Sequence, residues 1–172
     1  MKKIALVFFP ILLFIACQKR HSIESSLDTG WSSSFYYQDN AKIDTLTHAR
    51  LGYMTYPISR GDKIVFYCNV ETGVKDNASD NEYGLSVTFQ ADANITNFTY
   101  KDEELAAHLS HYASGGAWSG TFPQLIYKGT ISGRRLSDSS WRVYVDVQLA
   151  QRDDIIEITE VKQTGICKPV YW

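Results

Sequence analysis

Between Lys63 and Val70 the chain is apolar on both sides of a two-residue repeat. In an extended strand successive side chains point to opposite faces, so Ile64, Phe66, Cys68 and Val70 share one face while Val65 and Tyr67 share the other. A strand of this kind has to be covered on both faces. It therefore belongs in the middle of a sheet, and the rest of the chain must supply its covers. The same alternation recurs. Trp31, Ser33, Phe35 and Tyr37 alternate with Ser32, Ser34 and Tyr36. Tyr83, Leu85, Val87 and Phe89 alternate with Gly84, Ser86, Thr88 and Gln90, giving a strand with one wet face. Val143, Val145 and Val147 alternate with Tyr144, Asp146 and Gln148.

Turn-forming residues punctuate these runs. Segment 38–44 reads as a turn. Leu51, Tyr53 and Thr55 then read as a second strand, ended by Pro57 and an Arg60-Gly61-Asp62 turn. Residues 71–82 form a long polar loop, and Asp92-Ala93-Asn94 reverses the chain into a short strand over Ile95–Tyr100. In the last third, Gln124–Ile131 and Trp141–Leu149 are joined by a turn region from Gly133 to Ser140. Arg152-Asp153-Asp154 leads into Ile155–Val161, and Gly165 precedes a final strand, Ile166–Tyr171. One helix is predicted near 101–113. Thr99 would cap it, Asp102, Glu103 and Glu104 would sit at the positive end of its dipole, and Leu105, Leu109 and Tyr112 would form a narrow apolar stripe before Gly115-Gly116. These elements predict an all-β, mainly antiparallel, β-sandwich-like single domain over residues 31–172 with one short helix. The alternative is a lipocalin-like β-barrel. Gly30-Trp31 resembles the G-x-W opening of that family in part, although the family places its helix after the barrel strands.

The amino terminus carries a separate signal. Lys2 and Lys3 precede a continuously apolar run, Ile4–Ile15. That length lies within the ~7–15 residues of a signal-peptide core and is short of the ~20 that span a bilayer as a helix. Leu13-Phe14-Ile15-Ala16-Cys17 resembles the lipobox of bacterial lipoproteins, with Phe14 where Leu is usual. The resemblance covers residues 1–17. It implies cleavage before Cys17, so that residues 1–16 are a signal peptide, and it implies a diacylglycerol thioether and an acylated amino group, such as palmitate, on Cys17. Several acyl chains hold a protein at a membrane where one would not. In the enterobacterial members of the class an Asp after the Cys retains the protein at the inner membrane. Gln18 stands there instead, which implies the outer membrane of the cell envelope, with the periplasmic or surface face left open. The polar segment 17–30 then reads as the lipidated Cys and its tether. With Cys17 lipidated, Cys68 and Cys167 remain as the only other cysteines. An exported chain meets an oxidising compartment, so a Cys68–Cys167 disulfide is expected. It would close a loop of about a hundred residues, worth roughly 4–5 kcal/mol by chain entropy.

The 172-residue chain has 17 basic and 19 acidic residues, and losing Lys2 and Lys3 with a leader makes it more acidic still. This balance argues against nucleic acid as a partner. Asp76, Asp80 and Glu82, with Asn77 and Asn81, crowd one loop with oxygen ligands suited to calcium, but they do not follow the EF-hand spacing, and a solvated loop is the expectation. Glu104, His108 and His111 recur at helical spacing, yet the His residues stand three apart rather than four and lack the zincin Glu. They read as solvated histidines, and no metal or other cofactor is assigned. No G-x-S-x-G elbow and no phosphate loop occurs. Arg134-Arg135 reads as a small basic turn. The aromatic side chains Tyr112, Trp118, Tyr127 and Trp141 are the candidates for a ligand-stacking platform, and Trp31, Tyr36, Tyr37 and Tyr53 for a second, against packing in the core. The expectation is a non-enzymatic binding or structural accessory domain held at the membrane through Cys17. Its protein or glycan partner is not specified by the sequence, and the alternative is a lipocalin-like carrier of a small apolar ligand.

Overall fold

The computed structural model describes residues 21–24, 31–72, 83–116, 119–150 and 158–171. Its elements are β1 (His21–Glu24), β2 (Trp31–Ile43), β3 (Leu46–His48), β4 (Tyr53–Thr55), β5 (Ile58–Thr72), β6 (Tyr83–Asp92), β7 (Asn97–Lys101), α1 (Glu103–Ala107), β8 (His111–Gly116), β9 (Ser119–Gly120), β10 (Gln124–Leu125), β11 (Lys128–Ser137), β12 (Ser140–Gln148) and β13 (Ile158–Pro169). The fold is all-β. Eleven strands form one sheet: nine follow the order β10-β8-β6-β5-β2-β13-β12-β11-β7, β1 adds to β13 and β9 to β8, and β3 and β4 pair separately.

That path divides into two halves. The β10-β8-β6-β5-β2 half and the β13-β12-β11-β7 half are antiparallel throughout. They meet through a short parallel pairing of β13 with β2, Lys168 with Tyr36 and Pro169 with Tyr37. The halves curl over one another around a core of aromatic rings. Phe66 of β5 lies 5.5 Å from Phe98 of β7 and 5.4 Å from Trp141 of β12, although several strands separate them along the sheet. Phe89 of β6 lies 5.9 Å from Phe98. Alternation does the sorting: Ile64, Phe66, Cys68 and Val70 face this core together with Val143, Val145 and Val147. Each large side chain so buried contributes roughly 1.5–3 kcal/mol. The lipocalin-like alternative requires an up-and-down antiparallel order. Here β13 pairs in parallel with both β1 and β2, α1 lies in mid-chain, and rings fill the space between the halves.

The other face of β5 is covered as its apolar character requires. Val65 is buried with Ala41, Ile43 and Tyr56, and Tyr67, Leu109 and Leu125 pack against them.

The departures from the sequence reading share one physical cause, tertiary pairing prevailing over local signals. Segment 38–44 is a bulge rather than a turn. β2 runs through it to Ile43, with Asn40 at φ 53°, while Ala41 is matched to both Arg60 and Lys63 across β5, so Gly61 and Asp62 of the expected Arg60-Gly61-Asp62 turn are the unmatched extra length of the partner strand. The reversal falls instead at the β3–β4 hairpin. Gly133 and Gly165 lie inside β11 and β13, not at turns, because the Phe98 and Phe35 rings occupy the space a Cβ would need at each. Gly115-Gly116 ends no helix and belongs to β8, paired with Gly84 and Tyr83.

The helix predicted near 101–113 is reduced to Glu103–Ala107. Asp102, not Thr99, precedes it, with φ 48°. Leu109 takes a left-handed φ of 51°. The Leu109 N–H then donates to the Ala106 carbonyl and the Ser110 N–H to the Leu105 carbonyl, a Schellman ending that stops the helix. His111 and Tyr112 go on to pair with β6 as strand residues. Among the described residues no helix is long and apolar enough to cross a membrane. The segment 17–30, expected as a tether, contributes β1, paired with Ile158–Lys162 of β13.

Cys68 and Cys167 are free, buried thiols and not the expected disulfide. The register supplies the reason. Cys68 is paired with Phe35 of β2, and Cys167 comes one residue before the Lys168–Tyr36 pair on the far side of β2. Two strand spacings of about 4.7–4.9 Å exceed the Cα separation a disulfide spans, about 4.4–6.8 Å.

Candidate functional site

The bulge that interrupts β2 and β5 opens a cleft beside the end of β13. It is a half-open groove of about 1120 Å³, lined by Gln38, Asp39 and Asn40 of β2, by Ile58, Ser59, Arg60, Gly61 and Tyr67 of β5, and by Pro169, Val170 and Tyr171. Its third wall is fixed by the backbone: the Val170 N–H donates to the Tyr37 carbonyl at 2.9 Å, which holds the end of the chain alongside β2.

The chemistry is mixed. Tyr67 forms part of the wall, and its hydroxyl donates to Gln38 Oε1 at 3.3 Å. Burial raises its pKa above the ordinary phenol value, so it remains a neutral donor. Ile58 and Tyr171 bring exposed apolar surface, Tyr171 being 88% accessible. Asp39 and Arg60 bring opposite charges that no ion pair among the described residues engages. Next to the cleft, Ser59 Oγ donates to Asp44 Oδ2 at 2.6 Å and Lys42 Nζ lies 2.8 Å from Asp44 Oδ1. The hydrogen bond from Lys42, then that from Ser59, holds the Asp44 carboxyl below its ordinary range. Ser59 is therefore a donor to a carboxylate that Lys42 also holds. Apolar walls with a few amide, carboxylate and guanidinium groups suit non-covalent binding of a polar organic molecule.

Of the aromatic platform expected from Tyr112, Trp118, Tyr127 and Trp141, the described members do not share one surface. Trp141 is 1% exposed and belongs to the core. Tyr112 is buried, its hydroxyl donating to the Ala150 carbonyl at 2.7 Å. Tyr127 is exposed, and Trp118 lies outside the described residues. In the second group Tyr37 is buried, Tyr53 stacks on Phe122 at 4.0 Å and on His48 at 4.6 Å, and Tyr36 is on the surface. The histidines are not solvated partners. His111 stacks on Tyr56 at 4.5 Å and its Nδ1–H donates to the Leu109 carbonyl, while His108 stacks on Tyr100 at 3.6 Å. Burial lowers the pKa of both. Glu104 Oε2 accepts the Lys101 N–H. Among the described residues no group of three or more metal-ligating side chains gathers. Asp76, Asp80 and Glu82 lie outside the described residues, as does Cys17 with its leader.

The cleft residues were hidden in the sequence because Gln38-Asp39-Asn40 and Arg60-Gly61 carry turn chemistry. The available signal was that both turn-like stretches flank apolar runs that pair with each other. Compared with known proteins, the chain matches no family model, no curated protein and no solved structure.

Proposed function

We propose that this protein is a lipid-anchored envelope lipoprotein whose β-domain binds a small polar organic ligand, without catalysis, in the cleft between the β2–β5 bulge and the end of β13. The observation that carries the binding reading is the cleft itself: Asp39 and Arg60, which form no ion pair among the described residues, line it with Tyr67, Ile58 and Tyr171. An open charged pair with apolar walls orients a ligand that has both polar groups and a hydrophobic face. A sugar is one chemistry of this kind. The anchor reading rests on Lys2-Lys3, the apolar Ile4–Ile15 run and Ala16-Cys17. Outer-membrane placement follows from Gln18, by resemblance.

Two experiments test the two parts separately. Cys17→Ser is expected to abolish incorporation of labelled palmitate and to move the protein from the membrane to the soluble fraction. Unchanged labelling would end the lipoprotein reading. A glycan array read with the native protein and with Asp39→Asn/Arg60→Gln tests the cleft. Hits lost in the double variant support it, and hits retained at full strength place binding elsewhere.

A further inference from the structure

The outward face of the β13-β12-β11-β7 half carries an arrangement that folding alone does not favour. Arg134 of β11 is directly opposite Arg142 of β12 in the ladder, and both are exposed. Directly paired residues on one face hold their Cβ atoms about 4.5–5.5 Å apart, and like charges so placed repel. Neither guanidinium has a carboxylate within ion-pair reach among the described residues, whereas Lys162 on the same face has Asp146 at 3.8 Å. Asn97 of β7 continues the row on one side and Ile166 of β13 on the other.

The neighbouring row is of another character. Thr99, Ser132, Tyr144 and Thr164 are paired in sequence across the same four strands, one step of the two-residue repeat from the arginines. The Tyr144 hydroxyl donates to Asp146, which fixes the ring on this face. Two forks of guanidinium donors therefore border a strip of hydroxyls and one aromatic ring. Arginine forks bind carboxylate and sulfate groups bidentately, and hydroxyls with a ring face suit the body of a sugar.

We propose that this face docks an acidic polysaccharide, with a sugar carboxylate or sulfate held between Arg134 and Arg142 and the adjoining ring lying over Ser132 and Tyr144. The charge complementarity is local. The chain as a whole is acidic, so its net charge conceals a basic strip confined to one sheet face. This site shares no residue with the cleft, although β13 contributes to both, and it does not depend on it.

The test uses the full chain and two variants that each remove two positive charges: Arg134→Gln/Arg142→Gln on this face, and Lys42→Gln/Lys63→Gln on the other half. Binding to immobilised polygalacturonate and heparin, with neutral dextran as control, is read at low and at physiological salt. The native chain and the lysine variant are expected to bind one or both acidic polymers and not dextran. The arginine variant should bind about tenfold or more weakly, with an unchanged circular dichroism spectrum. Equal loss in both variants would mean a general charge effect and overturn the proposal, as would no binding by the native chain. Preference for phosphatidylglycerol over phosphatidylcholine vesicles without polysaccharide binding would overturn it too, by assigning the strip to a membrane surface.

Discussion

The ring of Phe35 lies where Gly165 would carry a Cβ, so β2 and β13 approach at this point only because residue 165 has no side chain. Gly165 is paired with Val143, and Val143 is paired on its other side with Gly133, over which the Phe98 ring lies in the same way. One valine is thus flanked by two glycines, each beneath an aromatic ring. Gly165→Ala forces the Phe35 ring from its place and is expected to destabilise by about 1–3 kcal/mol, the usual cost of overpacking a core. A urea titration measures this. Adding Phe35→Leu should return part of the loss, giving a coupling of about 0.5–3 kcal/mol. Strictly additive single and double variants would show that the ring and the glycine do not meet.

The same two glycines explain what the sequence revealed and what it hid. Alternation identified β5, β6 and β12, because burial on one or both faces leaves a two-residue period that survives without knowledge of partners. It could not report that Gly133 and Gly165 make room for rings more than thirty residues away in the chain, since a glycine that frees space and one that permits a turn look alike locally. The helix failed for a related reason. Leu105, Leu109 and Tyr112 have helical spacing, but the pairing of Thr88 with His111 draws the second half of that segment into β8. The cleft was lost with the bulge, whose Asn40 and Gly61 imitate a turn on both strands.

The buried thiols provide a second prediction. Cys68 and Cys167 are both fully enclosed. Burial pushes the Cys68 thiol far above its ordinary pKa and that of Cys167 up to about 12, so neither supplies thiolate at neutral pH. Peptides bearing Cys68 and Cys167 should stay unalkylated in the native protein and become labelled in urea. Reductant should leave the unfolding midpoint unchanged. Recovery of the two as a linked peptide would contradict the register that separates them.

Ser110 is fully buried, and its hydroxyl has no hydrogen-bond partner among the described residues. Its backbone is occupied, the N–H by Leu105 and the carbonyl by the Ile126 N–H, so the side chain is not needed to hold the turn after α1. An unpaired buried hydroxyl costs roughly 1–3 kcal/mol. Ser110→Ala should therefore stabilise the protein by about 1 kcal/mol, read as a higher urea midpoint at an unchanged slope. A loss of stability would show that the hydroxyl has a partner in solution.

His111 sets the sign of the response to mild acid. The residue is 7% exposed with its ring stacked on Tyr56, and burial holds its pKa below the ordinary value of about 6.5. The unfolded chain therefore takes up a proton that the folded chain resists. Stability is complete above about pH 6.5 and declines as pH falls through that value, because protonation favours the unfolded state. His108, lowered by burial against Tyr100 while Asp92 and Glu104 oppose the shift, acts in the same direction. The depressed carboxyls Asp44 and Asp92 lose their contribution only at more acid pH, since their folded pKa values lie below the ordinary carboxylate range. Thermal melts between pH 8 and 5 should show a falling midpoint for the native chain and a flatter profile for His111→Phe, which keeps a ring against Tyr56 but cannot titrate. Equal slopes in the two would remove His111 as the source of the acid sensitivity.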